Sequence, residues 1–458
     1  MISIRRSLVA VAAAASVAAA GCHRSKPPEV LAPPAPLSDS AAAALRWVDE
    51  HAVSIATLDS MRPAADRTPF VAFVGDAHVL GVSELVEGTR EFPVITRMML
   101  AALAERSGFR GIAVQAAMPE AMEVDRYVRT GVGNSRQWLH ALGAHWETQG
   151  VVDLVEWIRA YDRGRPAADQ IGFYGFEVPN GTHAVQVVTS LPDSVAGTAL
   201  NLWLRQQMQC VTTGESAAWG REGPASDSTF WNRCREITAN VADSLAALSA
   251  RITPSRAAAL ETARFAEEMA RVAQHDVDVG LRRLPRHQVV AEHILWLANR
   301  LGASANLLVW GRDVESGRLT LQGGGGVIQS AVPLASTLGD RYRNLAFTVG
   351  EGTVRAAPIS PGQREPGGER TMQLRRPVPD SYEDVLNRAR PDSFFVDLRV
   401  LPSDVGGTWL KGPHAARLIS SVYSDNALGA FVTPLEFPAN YDGFLFVKRS
   451  TATTPAKR

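Results

Sequence analysis

Cysteine is nearly absent: three residues in 458, at positions 22, 210 and 234, and no two of them spaced as CxxC. That excludes a disulfide-dense scaffold and a four-thiolate zinc site. An excess of either charge is also missing, because 47 Lys plus Arg balance 47 Asp plus Glu. A basic footprint of the kind that binds nucleic acid is therefore not encoded. There is no HExxH, no GxSxG elbow, and no GK[ST] after the QGGGGV run at 322–327. With none of these patterns present, neither a cofactor nor a metal is expected. What is present is an apolar share of 46%, enough for the large core of an ordinary globular protein.

The first 22 residues, MISIRRSLVAVAAAASVAAAGC, have a basic start at Arg5 and Arg6, an Ala/Val run and small residues before a cysteine. This is an export signal rather than a spanning helix. It resembles a bacterial lipoprotein signal, with Ala19, Ala20, Gly21 and Cys22 as the lipobox. Lipidation is expected at Cys22, and KPPEVLAPPAPL (26–37) reads as an extended Pro-rich tether. The residue after Cys22 is His23 and not aspartate, which by the sorting rules of diderm bacteria implies the cell envelope, at the outer membrane facing the periplasm. In that oxidising compartment Cys210 and Cys234, which flank a polar Gly/Ser/Thr-rich stretch, are expected to form a disulfide.

Beyond the tether, Ser40 is the expected N-cap of a helix through AAAALRWVDEHAVSIATL. Short β-rich runs then alternate with amphipathic stretches: HVLGV, RGIAVQA, IGFYGF, LLVWG, LAFTV, SFFVDL and GFLFVK. That alternation predicts an α/β fold, a mostly parallel or mixed sheet flanked by helices. Between Pro179 and Arg286 the β signal disappears and long Ala/Leu/Arg/Glu stretches take over, as in a helical subdomain inserted into the sheet. The expected divisions are 1–22 signal, 23–38 tether, 39–180 first α/β part, 181–286 helical insertion, 287–450 second α/β part and 451–458 tail. Residues 322–327 and 359–377 read as surface loops.

Polar groups cluster where strands are expected to end. SELVEGTREF (83–92) carries Glu84, Glu87 and Glu91 at helical spacing, with Arg90 beside them. Gln115 and Glu120 follow the second strand, Tyr174 and Glu177 the third, and Arg312, Asp313 and Glu315 the fourth. Open α/β sheets bind ligands at such ends. The ten histidines are scattered. His78, His287 and His293 read as structural or surface residues, and His140 and His145 carry only a weak hint of facing each other across a turn.

The order of motifs resembles the erythromycin esterase family: GDAHVLGVSELVEGTREF, GFRGIAVQAAMPEAMEVDRYVRTG, VVDLVEWIRAYD with IGFYGFEV, RHQVVAEHILWL with NLLVWGRDVES, then GDRYRNLAFTVGEGTVRAA, SFFVDLR and YDGFLFVKR. The family's first motif resembles GEATHGTREF, whose glutamate falls on Glu84 and whose histidine falls on Glu87. Its later arginine falls on Thr96, with Arg97 one place off, and its second-strand glutamate on Gln115. The two histidines of WAHNAH fall on Arg312 and Glu315. Glu84 alone keeps the family's residue. Ester hydrolysis by water needs a base that titrates near the working pH, which imidazole supplies and an ordinary carboxylate does not. Glu87 and Glu315 paired with Arg312 would form an inert cluster; Glu84 and Glu87 sharing a proton would form an acid/base pair.

The resemblance therefore implies an exported, lipid-anchored erythromycin esterase-like protein, its ancestral macrolactone hydrolysis lost or altered and its cleft kept for a ligand. The alternative is an active hydrolase of carboxylic esters such as macrolide lactones, tied to antibiotic resistance. The expected partner is a small-molecule ligand or ester substrate, with membrane contact through the lipid anchor only and no nucleic acid. Cys22→Ser is expected to move the protein from the membrane to the soluble fraction. Its retention on membranes after a salt wash would refute the anchor.

Overall fold

The computed structural model describes residues 35–456 apart from 59–66, 178–181, 213–227, 283, 313–314, 319, 322–326, 361–362 and 364. The signal, Cys22, most of the tether, Asp313 and most of the glycine run lie outside the described residues. In chain order the strands are β1 (Val53–Ser54), β2 (Val79–Glu84), β3 (Phe109–Ala117), β4 (Gly172–Glu177), β5 (Asn306–Arg312), β6 (Thr320–Leu321) and β7 (Val327–Ile328). They continue with β8 (Tyr342–Pro358), β9 (Arg370–Leu374), β10 (Ser393–Asp397), β11 (His414–Arg417), β12 (Val422–Tyr423), β13 (Val432–Leu435) and β14 (Gly443–Ser450). Ten of them make one sheet along the path β1-β10-β14-β8-β2-β5-β3-β4, with β9 and β12 attached to β8. From β14 to β4 every neighbouring pair on that path is parallel, and β10 and β1 close one edge antiparallel. The chain thus adopts the mixed, mostly parallel α/β sheet that its alternating runs imply.

Position in the sheet explains composition. All six residues of β2 are buried, as expected of a central parallel strand covered on both faces. Leu80 and Val82 join a core with Met99 and Leu103 of the helix Glu91–Arg106. Val79 faces the opposite layer, with Val290, Ile294 and Leu297 of the helix Arg286–Leu301. Each such side chain removed from water contributes roughly 1.5–3 kcal/mol. Gly81 is required by close approach: a Cβ there would lie 2.5 Å from the Tyr342 hydroxyl and 2.8 Å from Ser316 Cβ.

From Thr182 to Leu281 every described element is helical, and these helices share an apolar core that includes Leu204, Trp231, Leu245 and Met269. Cys210 and Cys234 are bonded to each other within it.

Four local expectations are corrected. SELVEGTREF does not open a helix: Glu84 ends β2, Glu87 sits in the connection, and the helix starts at Glu91. The strand runs on because the buried Ser83 hydroxyl bonds Ser316 at 2.6 Å, and Gly88, at φ 75°, then turns the chain sharply. The first helix is capped by Ser38, whose hydroxyl accepts from the Ala41 amide, and not by Ser40. It ends at His51 instead of running to Leu58, because Val53 and Ser54 pair with β10. The segment 359–377 contains β9, which pairs with β8 and buries Met372 and Leu374 at period-two spacing. Residues 451–456 are not a loose tail, since Ala452 and Ala456 are buried and Ala452 and Pro455 bridge to Thr89 and Thr148.

Mass spectrometry of unreduced digests is expected to show the Cys210–Cys234 peptide pair, whose partners are 24 residues apart in sequence. Reduction should lower stability by about 3 kcal/mol on the loop-entropy model. Two alkylatable thiols in folded protein would refute the staple.

Candidate functional site

Because β2, β5, β3 and β4 are parallel, their C-terminal ends share one edge, and the register places Glu84 directly beside Arg312. Glu84 is 2% exposed. Its Oε1 accepts a 2.9 Å hydrogen bond from the Trp310 indole N–H, two residues before Arg312 on the same face of β5. Burial disfavours its charge, and the neighbouring Glu87 carboxylate adds to this. His145, the indole bond and Arg312 act the other way, and the net effect raises the Glu84 carboxyl to about 7.

The histidine beside Glu84 comes from the connection between the helices Ser135–Ala141 and Gln149–Asp162. His145 Nδ1 lies 3.2 Å from Glu87 Oε2, and Nε2 lies 3.7 Å from Glu84 Oε2. Its ring packs edge-on against Trp146, which packs edge-on against Trp310. The Trp146 indole is fixed in turn by a 3.1 Å bond to the Gln115 carbonyl. Burial alone would lower the imidazole's affinity for a proton; Glu87 and then Glu84 outweigh it, and the net shift is upward even against Arg312. Glu87 is buried, and neither of its carboxylate oxygens has a hydrogen-bond partner among the described residues, so the approach to His145 is an ion-pair contact.

These groups line a cavity of about 290 Å³ whose walls include Glu84, Glu87, His145, Trp310, Arg312 and Arg355. Arg312 forms no ion pair among the described residues, and its buried Nε is unpartnered there. Arg355 is paired with Glu369 at 3.0 Å. Gly88 lets the β2 connection touch this wall: a Cβ there would overlap the Arg355 carbonyl oxygen at 2.1 Å. One face of the cavity thus presents an imidazole between two carboxylates, and another the Arg312 guanidinium. No group of three or more metal-ligating side chains suited to a metal occurs among the described residues.

The other candidates assemble a second network. Glu315 Oε2 pairs with Arg286 at 3.0 Å, and Arg286 also holds Glu177. The Gln115 amide donates to Glu177 at 3.2 Å and accepts from the Arg312 backbone N–H at 2.8 Å. Neither Glu315 nor Gln115 lines the cavity. The expected pairing of Glu87 and Glu315 with Arg312 is therefore not formed: His145 takes Glu87, and Arg286 takes Glu315. Arg90 is exposed, and Thr96 is buried within its helix away from the cavity walls. Tyr174 lines a separate cavity of about 670 Å³ with Arg126, Arg129 and Phe265. His140 pairs with Glu147, and does not face His145. His78 bonds Asn306, and His293 is buried against the Phe176 carbonyl, its pKa depressed to about 4 by burial.

His145 is the residue that sequence reasoning passed over. Its only local signal is its place, next to a tryptophan and just before Thr148, the N-cap of the following helix.

The sequence model of the erythromycin esterase family matches residues 104–450. Among solved structures, a succinoglycan biosynthesis protein is similar at TM-score 0.67 and 15% identity, over 91% of this chain and 98% of that one. A Bacillus cereus protein is similar at 0.65 and 19%, over 92% and 100%. A mutant of the erythromycin esterase EreC in its open conformation is similar at 0.55 and 14%, over 88% and 99%. At such identities the structures speak for the fold, whereas the family match spans well over half of the sequence; the chain belongs to the erythromycin esterase family.

Proposed function

We propose that this chain is a hydrolase of carboxylic esters whose water-activating base is His145, working in the cell envelope from a lipid anchor at Cys22. The observation that carries the catalytic part is the imidazole held between Glu84 and Glu87 at the wall of the cavity. Family-position histidines are replaced, yet an imidazole reaches the same strand-end edge from another element. Glu87 on the Nδ1 side orients the ring and favours its charged form, leaving Nε2 toward Glu84 and the cavity. Water loses a proton to Nε2 as its oxygen bonds the ester carbonyl carbon. Arg312, which forms no ion pair among the described residues, faces the charge that develops on the carbonyl oxygen. Collapse breaks the bond to the alcohol oxygen, which takes a proton either from the imidazolium directly or from the Glu84 carboxyl, which the imidazolium then reprotonates, giving acid and alcohol. A carboxyl that titrates at about 7 is suited to donate near neutrality.

The reading in which the cleft only binds a ligand rests on the replacement of the family's histidines at Glu87, Arg312 and Glu315. His145 supplies an imidazole from elsewhere, and the inert pairing of Glu87 and Glu315 with Arg312 is not formed among the described residues. The cavity, at about 290 Å³, lies at the small end of the roughly 300–1,000 Å³ typical of ligand pockets. It suits an ester and its immediate substituents, so a macrolactone would present one edge of its ring.

Purified protein is expected to hydrolyse members of a panel of p-nitrophenyl esters and macrolactones above the buffer rate. His145→Gln should lower kcat/KM by about 10²-fold or more, with the fold retained by circular dichroism. Full activity in that variant would sink the assignment of the base. Ligand-induced thermal stabilisation with no turnover of any ester would return the cleft to a binding role.

The raised Glu84 carboxyl keeps its proton in the folded chain between about 4.5 and 7, where the unfolded chain has lost it, and the raised His145 adds to this above the ordinary histidine value of 6.5. Their contribution to stability is therefore full at low pH and lost as pH rises through that window. Glu84→Gln should remove a pH dependence of roughly 3 kcal/mol and gain on the parent protein from pH 5 to pH 8 in urea titrations. A constant difference across that range would contradict the raised carboxyl.

A further inference from the structure

We propose that residues 451–456 are a strap that positions the two halves of the acid/base centre, tying the Glu87 connection to the His145 connection. This rests on the hydrolase reading for its kinetic consequence but not for its geometry. The strap lies beyond the segment that matches the family, 104–450.

Its contacts pass from the first connection to the second along its length. On the Glu87 side, the Arg90 amide donates to the Thr451 carbonyl at 2.8 Å, and the Thr453 amide donates to the Gly88 carbonyl at 2.9 Å. The Thr451 amide also donates to Glu91 Oε2 at 3.0 Å. On the His145 side, the Gln149 amide donates to the Thr454 carbonyl at 2.9 Å, and the Ala456 amide donates to the Glu147 carbonyl at 3.0 Å. Between these, the Ala452 amide donates to the Thr353 hydroxyl at 3.0 Å, fixing the strap to β8. Thr453 itself lines the cavity.

Both connections are irregular backbone, and neither belongs to a ladder that would fix its distance to the other. The Glu87 connection has further anchors on the sheet side: its own amide donates to the Ile419 carbonyl at 2.8 Å, the Ile419 amide to the Leu85 carbonyl at 2.8 Å, and the Arg355 amide to the Gly88 carbonyl at 3.0 Å. The His145 side is held by Trp146 packing and by the strap. The 3.2 Å approach of His145 to Glu87 is a contact between side chains on two separate pieces of chain, and misplacement by about 1 Å can cost 10²-fold in rate. Main-chain bonds from one short segment to both pieces set that spacing.

The test uses the mature chain ending at Ser450, together with Thr453→Pro and Ala456→Pro. Each proline removes one donor, to Gly88 and to Glu147 respectively. Two readouts are compared: the NMR titration of the His145 imidazole, faced by Glu84, Glu87 and Arg312, and the kcat and KM for the best ester substrate. The expected result is an imidazole titration displaced downward toward the ordinary histidine value, with kcat reduced about 10–100-fold and KM little changed. An unshifted titration and unchanged kcat in a folded shortened chain would overturn the strap. If that chain does not fold, the proline variants decide by the same readouts. Displaced titrations in a protein that hydrolyses no ester would uphold the strap and defeat the hydrolase reading alone.

Discussion

A carboxylate kept out of water at the end of a central strand is the constraint around which this edge of the sheet is organised. Glu84 has no freedom to leave, because β2 is flanked by parallel partners on both sides and buried on both faces. Its neighbours compensate for that burial: an indole N–H on one oxygen, an imidazole near the other, a guanidinium next to it in the register. A group so placed ionises reluctantly, and its proton becomes available in the range where ester chemistry is done.

The strand ends also divide their polar groups between two jobs. Gln115 is the joint between them, accepting from the Arg312 main chain while donating to Glu177. A glutamate at that position would keep the first bond, lose the second when ionised, and set two carboxylates against each other. The amide thus suits this chain's second network, in which Arg286 collects Glu177 and Glu315. Among the described residues no ion pair therefore takes Arg312 out of the cavity, whose wall it forms beside Glu84.

Much of the architecture was readable from residue patterns because it depends on them locally. Runs such as HVLGV and GFLFVK are apolar at consecutive positions, as strands buried on both faces must be, and they appear as β2 and β14. Boundaries were harder. The spacing of Glu84, Glu87 and Glu91 satisfied a helix, while the Ser83 to Ser316 bond and the positive φ of Gly88, neither visible locally, decided for strand and turn. β9 was hidden in a Gly/Pro/Arg-rich stretch because only alternate residues needed to be apolar. The site was half visible: Glu84, Glu87 and Arg312 followed from strand ends, but His145 depends on where a helix connection lands, and no spacing rule reports that. Arg286, too, sits far along the chain from the carboxylates it claims.

The pairing of Glu177 with Arg286 has another effect. One residue closes the last strand before the helical insertion, and the other begins the helix that leads back into the sheet. The intervening hundred or so residues therefore leave and return at a single point. The entropy of closing such a loop grows only with the logarithm of its length, so the sheet and its polar edge are nearly indifferent to how much chain is hung there. What ties the insertion to the sheet beyond that point is its own packing, as where Val272 joins Val79 and Val290 in one core.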